Sequence, residues 1–205
     1  MSSLQEERSA ETRRRLLDAT VACLFERGYA GTTTTEIATR AGVSRGAQLH
    51  HFPRKDELVV SALEHVFELR LRDLSVAIAE PPPGNREHCL AAIIDSMWPM
   101  FKGPTFYAWL ELVVASRTDP ALNDAVRAAS ERFGEGFRIG LAALLDWPAG
   151  REEKLLDLIN VIFGQLEAMA LDRVLFAADE IDPPEFVRGL ETAKRVSAAI
   201  VRELD

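Results

Sequence analysis

Residues 33–55, TTTEIATRAGVSRGAQLHHFPRK, permit very few local folds. Thr33 and Glu36 stand at the T-x-x-E spacing of a capping box, which starts a helix near residue 33. Gly42 allows the positive φ that a tight turn demands, and Ser44 is placed to cap a second short helix. Pro53 ends that helix, because its ring removes a donor and clashes with the preceding turn. Two short helices across a tight turn make a helix-turn-helix, a geometry that offers its second helix to the major groove of DNA.

The remaining sequence also reads as helices between breakers, with no sustained period-two alternation that would signal strands. The spacing predicts a first helix over 7–27, with Leu16, Leu17, Thr20, Cys23 and Leu24 on one face and Gly28 closing it. A long helix over 55–79 follows the helix-turn-helix, and PPPG at 81–84 marks the clearest boundary. Asn85 caps a helix over 85–101. Pro104, Pro120 and Pro183 fit the first turns of later helices, giving 104–117, 120–145, 151–178 and 183–203. The expected fold is all-α with about nine helices.

Charge first argues against a nucleic-acid partner, since the chain carries a net −8. The distribution changes that reading: residues 1–55 hold nine Arg/Lys against six Asp/Glu, while the rest holds 15 against 26. Phosphate attraction depends on the local footprint, and physiological salt screens beyond roughly 8 Å. An acidic remainder therefore does not forbid DNA binding. No apolar run reaches the ~18 residues of a membrane span. The polar first 15 residues lack the apolar stretch of a secretory signal. A soluble cytoplasmic protein without a membrane partner is expected. Cys23 and Cys89 are far apart and read as small buried hydrophobes, and no Cys/His set has ligand spacing. Neither a metal nor a cofactor is expected.

Residues 12–60 resemble the tetracycline-repressor (TetR) family of transcriptional regulators. The residues that carry the resemblance are Leu16-Leu17, Leu24-Phe25, Gly28-Tyr29, Thr32, Ile37-Ala38, 41–44 (AGVS), Gly46, His51-Phe52, Lys55 and Leu58. Ile37, Ala38, Val43 and Phe52 are apolar and are read as the core of this head. Arg45 and Gln48, three apart, share a helix face; Arg pairs bidentately with guanine and Gln with adenine. They are the leading base readers, with phosphate contact the alternative for Arg45. Ser44 offers a hydroxyl to phosphate, and the small Gly46 lets the backbone approach DNA. Thr33, Thr34 and Thr35 either bond phosphate or serve only as caps. The resemblance implies that His51 contacts the DNA backbone and that Lys55 pairs with phosphate, while His50 points to another face. Two departures stand out. Gln48-Leu49 replaces the family's usual Leu-Tyr, so the tyrosine contact is missing at Leu49, and Gln48 is either exposed or a core substitution. Arg54 replaces a usual serine cap.

The resemblance further implies a homodimer on a palindromic double-stranded operator, controlled by a small-molecule effector. It divides the chain into a DNA-binding domain at 1–55, a connecting helix at about 55–79, and a ligand-binding and dimerisation domain at 80–205. A mostly apolar pocket with a few polar groups is the usual form of such a site. Its aromatic candidates are Trp98, Phe101, Phe106, Trp109, Phe133, Phe137 and Phe163, each of which also fits plain core filling. Glu111, Arg117, Gln165 and Glu167 are the candidate polar anchors. Leu155, Leu158, Ile162, Leu166 and Met169 stripe one helix, and Phe186, Leu190, Ala193 and Val196 stripe the next. Two adjacent apolar helices fit a four-helix dimer interface, although core burial alone produces the same pattern. An adaptor that has lost DNA binding is the first alternative. A helical enzyme is the second, weakened by the absence of an E-x-x-H pair or a Walker loop.

Overall fold

The structure, a computed structural model, describes residues 2–79, 84–176 and 182–203. The prolines at 81–83 and the last two positions of the helix expected over 151–178 lie outside the described residues. The elements are α1 (Ser2–Gly31), α2 (Thr34–Ala41), α3 (Arg45–His51), α4 (Lys55–Ala79) and α5 (Arg86–Lys102). They continue with α6 (Pro104–Ser116), α7 (Pro120–Leu144), α8 (Glu152–Phe176) and α9 (Pro184–Arg202). The expected all-α fold is therefore found, with no strand among the described residues.

Local chemistry sets most of the boundaries. Asn85 Oδ1 accepts from the His88 N–H at 2.9 Å to start α5, and Asp119 Oδ1 accepts from the Leu122 N–H at 3.1 Å to start α7. Pro104, Pro120 and Pro184 occupy first helical positions, where a missing donor is harmless. The first helix is longer than its apolar face suggested, because polar residues with good helix propensity extend it back to Ser2. Gly28 still interrupts it, with φ 66° and ψ 176°, a conformation open essentially to glycine alone.

The chain packs as two compact units. One holds Met1–Arg70 with Pro104–Phe133, the other Leu71–Gly103 with Gly134–Asp205. In the first unit, one core cluster joins Leu16, Leu17, Cys23, Ile37, Phe52, Leu58 and Ala62 under the helix-turn-helix. A second joins Leu24, Val59 and Leu63 to Ala108 and Leu112 of α6 and to Leu122, Val126 and Ala129 of α7. Each fully buried leucine contributes about 1.5–3 kcal/mol of transfer free energy. Both cysteines are buried, as expected of small hydrophobes.

In the second unit, α5, α8 and α9 pack on one another. The carboxylate of Asp182 fixes the start of α9. It accepts from Trp98 Nε1 at 2.7 Å, Lys102 Nζ at 2.8 Å and Arg173 Nη1 at 2.9 Å. Burial works against that charge, yet bonds from Lys102 and Trp98 hold its pKa below the usual value.

This packing corrects the expected dimer surface. Leu155, Leu158, Ile162, Leu166 and Met169 are buried within the protomer, as are Phe186 and Ala193. A side chain at Gly189 would meet Met169 Sδ at 2.8 Å, so α9 already lies against that stripe. Leu190 is half-buried, and of the nine named positions only Val196 is exposed. The stripes are apolar, as their spacing predicts, but α5, α8 and α9 bury them in each other.

Replacing Gly28 by alanine is expected to destabilise the first unit by about 1–3 kcal/mol, the usual range for a forced backbone conformation. Its Cβ would also sit 2.8 Å from Glu111 Oε2. Urea unfolding followed by circular dichroism measures this directly.

Candidate nucleic-acid interface

Thr33 and Ser44 open the two short helices. Thr33 Oγ1 accepts from the Glu36 N–H at 3.2 Å, and Ser44 Oγ accepts from the Ala47 N–H at 3.1 Å. The Glu36 carboxylate pairs with Arg27 at 3.0 Å, so the capping box has only its threonine half. Gly42 takes the left-handed conformation, φ 63° and ψ 37°, that the turn needs. Residues 42–46, GVSRG, also spell the G-x-S-x-G pattern of a hydrolase nucleophile. A helix rather than a strand leads into Ser44, and its oxygen is engaged as a cap, so it lacks the strained elbow that such a serine requires.

Helix α3 has two distinct sides. Arg45, Gly46, Leu49 and His50 are exposed, and they fall within one arc at 100° per residue. Ala47, Gln48 and His51 fall on the opposite arc and are half-buried or buried. Gln48 is therefore not a base reader. Its side chain is 1% exposed, and its Nε2 donates to the Phe52 carbonyl at 2.6 Å. The side chain that shares the outer face with Arg45 is Leu49, 44% exposed and one full turn away. Val43 is partly buried against the core formed by Ile37 and Phe52. Thr33 and Thr35 are exposed beside α2, and Thr34 is half-buried.

Most basic groups of the head are engaged inside the protein. Lys55 Nζ donates to the Tyr29 carbonyl at 2.6 Å and sits 4.0 Å from the centre of the Tyr29 ring. Burial lowers the pKa of this ammonium. Arg54 pairs with Asp56 at 2.8 Å and Glu57 at 3.3 Å, which neutralises the charge that the missing serine cap had added. Arg40 pairs with Glu26. Arg15 donates to the carbonyls of Ala41 and Gly42, holding α1 against the turn. Arg13 lies over the Phe52 ring, 5.2 Å from its centre. His51 stands beside it, and its pKa is lowered by burial, by His50 and by Arg13. The sequence reading missed Arg13 and Arg15; the run of three arginines before Leu16-Leu17 was the available signal.

The sequence comparisons agree with this head. Residues 16–62 match the model of bacterial regulatory proteins of the tetR family. The head of this chain is therefore of the tetR type. The regulator CymR of Pseudomonas putida is 35% identical over 128 residues, and the match spans 62% of this chain and 62% of CymR, less than two thirds of its length. An uncharacterized HTH-type transcriptional regulator of Mycobacterium tuberculosis is 26% identical over 182 residues, covering 89% of this chain and 92% of its own. The crystal structure of a transcriptional regulator from Rhodococcus superposes with a TM-score of 0.69 at 25% identity, covering 94% of this chain and 97% of that one.

The expected effector-site residues fall into both packing units. Trp98, Phe101, Phe137, Phe163, Gln165 and Glu167 belong to the second. There Phe163 meets Phe101 and Phe137 edge-on, with ring centres 5.8 and 5.0 Å apart. Glu167, one helical turn beyond Phe163, is half-buried, and burial raises its pKa. Phe106, Trp109, Glu111, Arg117 and Phe133 belong to the first unit. Phe133 stacks on Phe67 at 4.4 Å, and Trp109 lies beside Phe106. Arg117 is exposed beyond the end of α6. Glu111 is engaged elsewhere: its Oε2 accepts the Tyr29 N–H at 3.0 Å. An open groove of about 320 Å³ runs between Val60 and Ser61 of α4 and Leu122 and Ala125 of α7, and none of the expected effector residues lines it.

The two sides of α3 separate stability from recognition. Gln48→Ala is expected to lose about 1–3 kcal/mol of stability, because the buried Phe52 carbonyl loses its donor. Arg45→Ala, at an exposed position, should stay within about 0.5 kcal/mol of wild type. Urea midpoints of the two variants test the assignment.

Proposed function

We propose that this protein is a ligand-responsive transcriptional repressor, binding an approximately palindromic operator as a homodimer and released by a small, largely apolar molecule. The outer face of α3 carries the reading. Arg45, Leu49 and His50 stand exposed on one arc above a buried Gln48 and Phe52. On that face Arg45 pairs with the O6 and N7 edge of guanine, and Leu49 packs against a thymine methyl where a relative would place a tyrosine. Ser44, Thr33 and Thr35 supply hydroxyls to phosphate, while the DNA contacts stay within residues 1–55.

Effector and dimer contacts come from residues 80–205. Phe101, Phe137 and Phe163 supply the apolar walls of the effector site, and Gln165 and Glu167 its polar groups. The homodimer forms through side chains that the protomer leaves uncovered: Leu156, Leu171, Val174 and Leu175 on α8, and Val187 and Val196 on α9. The first, second and fourth of these lie along one side of α8 with the small Gly164 between them. A two-fold dimer sets its recognition helices about one DNA turn apart, ~34–36 Å, or a multiple of it. The effector releases DNA by binding the DNA-free arrangement more tightly, which shifts the population toward it.

Footprinting and gel-shift assays on the DNA upstream of the protein's own gene test the regulator reading, and the absence of any specific, salt-sensitive binding overturns it. On a located operator, Arg45→Ala is expected to cost about 1–3 kcal/mol and to relax preference at one base pair per half-site. Leu171→Asp should yield a folded monomer in sedimentation equilibrium, and an unchanged dimer would reject the proposed surface.

A further inference from the structure

The three consecutive arginines of α1 have three different environments. Arg14 is held by Glu11 at 2.8 Å and Asp18 at 3.2 Å. Arg15 is bound to the carbonyls of the turn. Arg13 is exposed and pairs with no carboxylate among the described residues; its Cζ lies over the Phe52 ring, 5.2 Å from the centroid, within cation–π range. Where a guanidinium stacks by its face, its in-plane N–H donors remain for another acceptor. Phe52 is a firm support, because its N–H donates to the Gln48 carbonyl at 2.8 Å and its own carbonyl accepts from the Gln48 amide. A side chain held this way gives up less freedom when it binds.

Two imidazoles adjoin this contact. The His51 ring is 6.5 Å from the Phe52 ring and 5.5 Å from the His50 ring. None of Arg13, His50 and His51 is paired with a carboxylate among the described residues, whereas Arg14, Arg27, Arg40 and Arg54 all are. Arg13 therefore keeps a positive charge without a carboxylate partner beside Phe52, and the His51 ring can add an N–H donor next to it. Arg13 lies outside the stretch matched by the family model, which begins at residue 16.

We propose that Arg13 of α1 and His51 of α3 together bind one backbone phosphate of DNA, extending the footprint from the helix-turn-helix onto the first helix. The inference rests on the DNA-binding reading above and adds a contact that carries no base information. Arg13 donates through two N–H groups and His51 through one ring nitrogen, and the duplex gains a fixed point at the C-terminal end of α3.

The test is fluorescence anisotropy of the full-length protein on a labelled random-sequence duplex of about 30 base pairs, titrated at several KCl concentrations. Each phosphate contact contributes about 0.9 to the slope of log affinity against log salt. Arg13→Met keeps an apolar side chain over Phe52 and removes the charge. It is expected to lower affinity about tenfold, as for a lost charged hydrogen bond, and to reduce the slope by about one, with an unchanged urea midpoint. Arg14→Ala, whose partner groups are internal, should keep the wild-type slope. If Arg13→Met binds with wild-type affinity and slope, Arg13 is only a clamp between α1 and α3 and the inference fails while the regulator reading stands. If the wild-type protein binds no duplex even at low salt, both fail.

Discussion

The break in α1 at Gly28 exposes main-chain groups that a continuous helix would have satisfied, and three side chains answer them. Glu111 of α6 accepts the Tyr29 N–H, Lys55 of α4 donates to the Tyr29 carbonyl, and Thr32 donates to the Gly28 carbonyl at 2.7 Å. These part-buried and exposed bonds tie the break in α1 to α4 and α6. The helix-turn-helix is supported by the same helices, through the core around Leu16, Ile37, Phe52 and Leu58. Lys55 thus acts first as a structural clamp. An ammonium already bound to a carbonyl and resting on an aromatic ring is a poorer phosphate ligand than its position in the sequence suggests.

Electrostatics in the head follows the same logic of prior engagement. Formal charge gives a modest positive excess over residues 1–55, but that number treats all cations alike. Carboxylates hold Arg14, Arg27, Arg40 and Arg54, and carbonyls hold Arg15 and Lys55. What remains for a polyanion is a short set that includes Arg13 and Arg45. Affinity for phosphate then depends on the placement of a few side chains rather than on the overall balance, which accommodates an acidic chain.

Local signals were legible and distant ones were not. Thr33, Ser44 and Asn85 could be identified as caps because a cap acts within three or four residues of its own backbone. Gln48 was misread because spacing shows which residues share a face but not which way the face turns. Only its bond to the Phe52 carbonyl reveals a core residue with an internal donor role. The leucine stripe of α8 was recognised as apolar, yet nothing in a single helix tells whether its cover is α5, α9 or a second subunit. Glu111 resembled a polar anchor among aromatics, and its partner lies 82 residues away. Such a pairing leaves no periodic trace.

The reach of α6 into the reading head has a consequence for how the protein is made. Leu24, Val59 and Leu63 pack against Ala108 and Leu112 of α6 and against Leu122, Val126 and Ala129 of α7. The stretch recognisable as a family head ends at residue 62, well short of these partners. On the ribosome, the helix-turn-helix emerges with an apolar flank still uncovered and a Tyr29 N–H still without its carboxylate. Its native surface closes only after the first half of α7 has been synthesised, because contacts of long sequence separation must wait for their partners. The DNA-reading element is therefore not a portable module. Grafted alone onto another protein, it would need a substitute for the face that α6 and α7 provide.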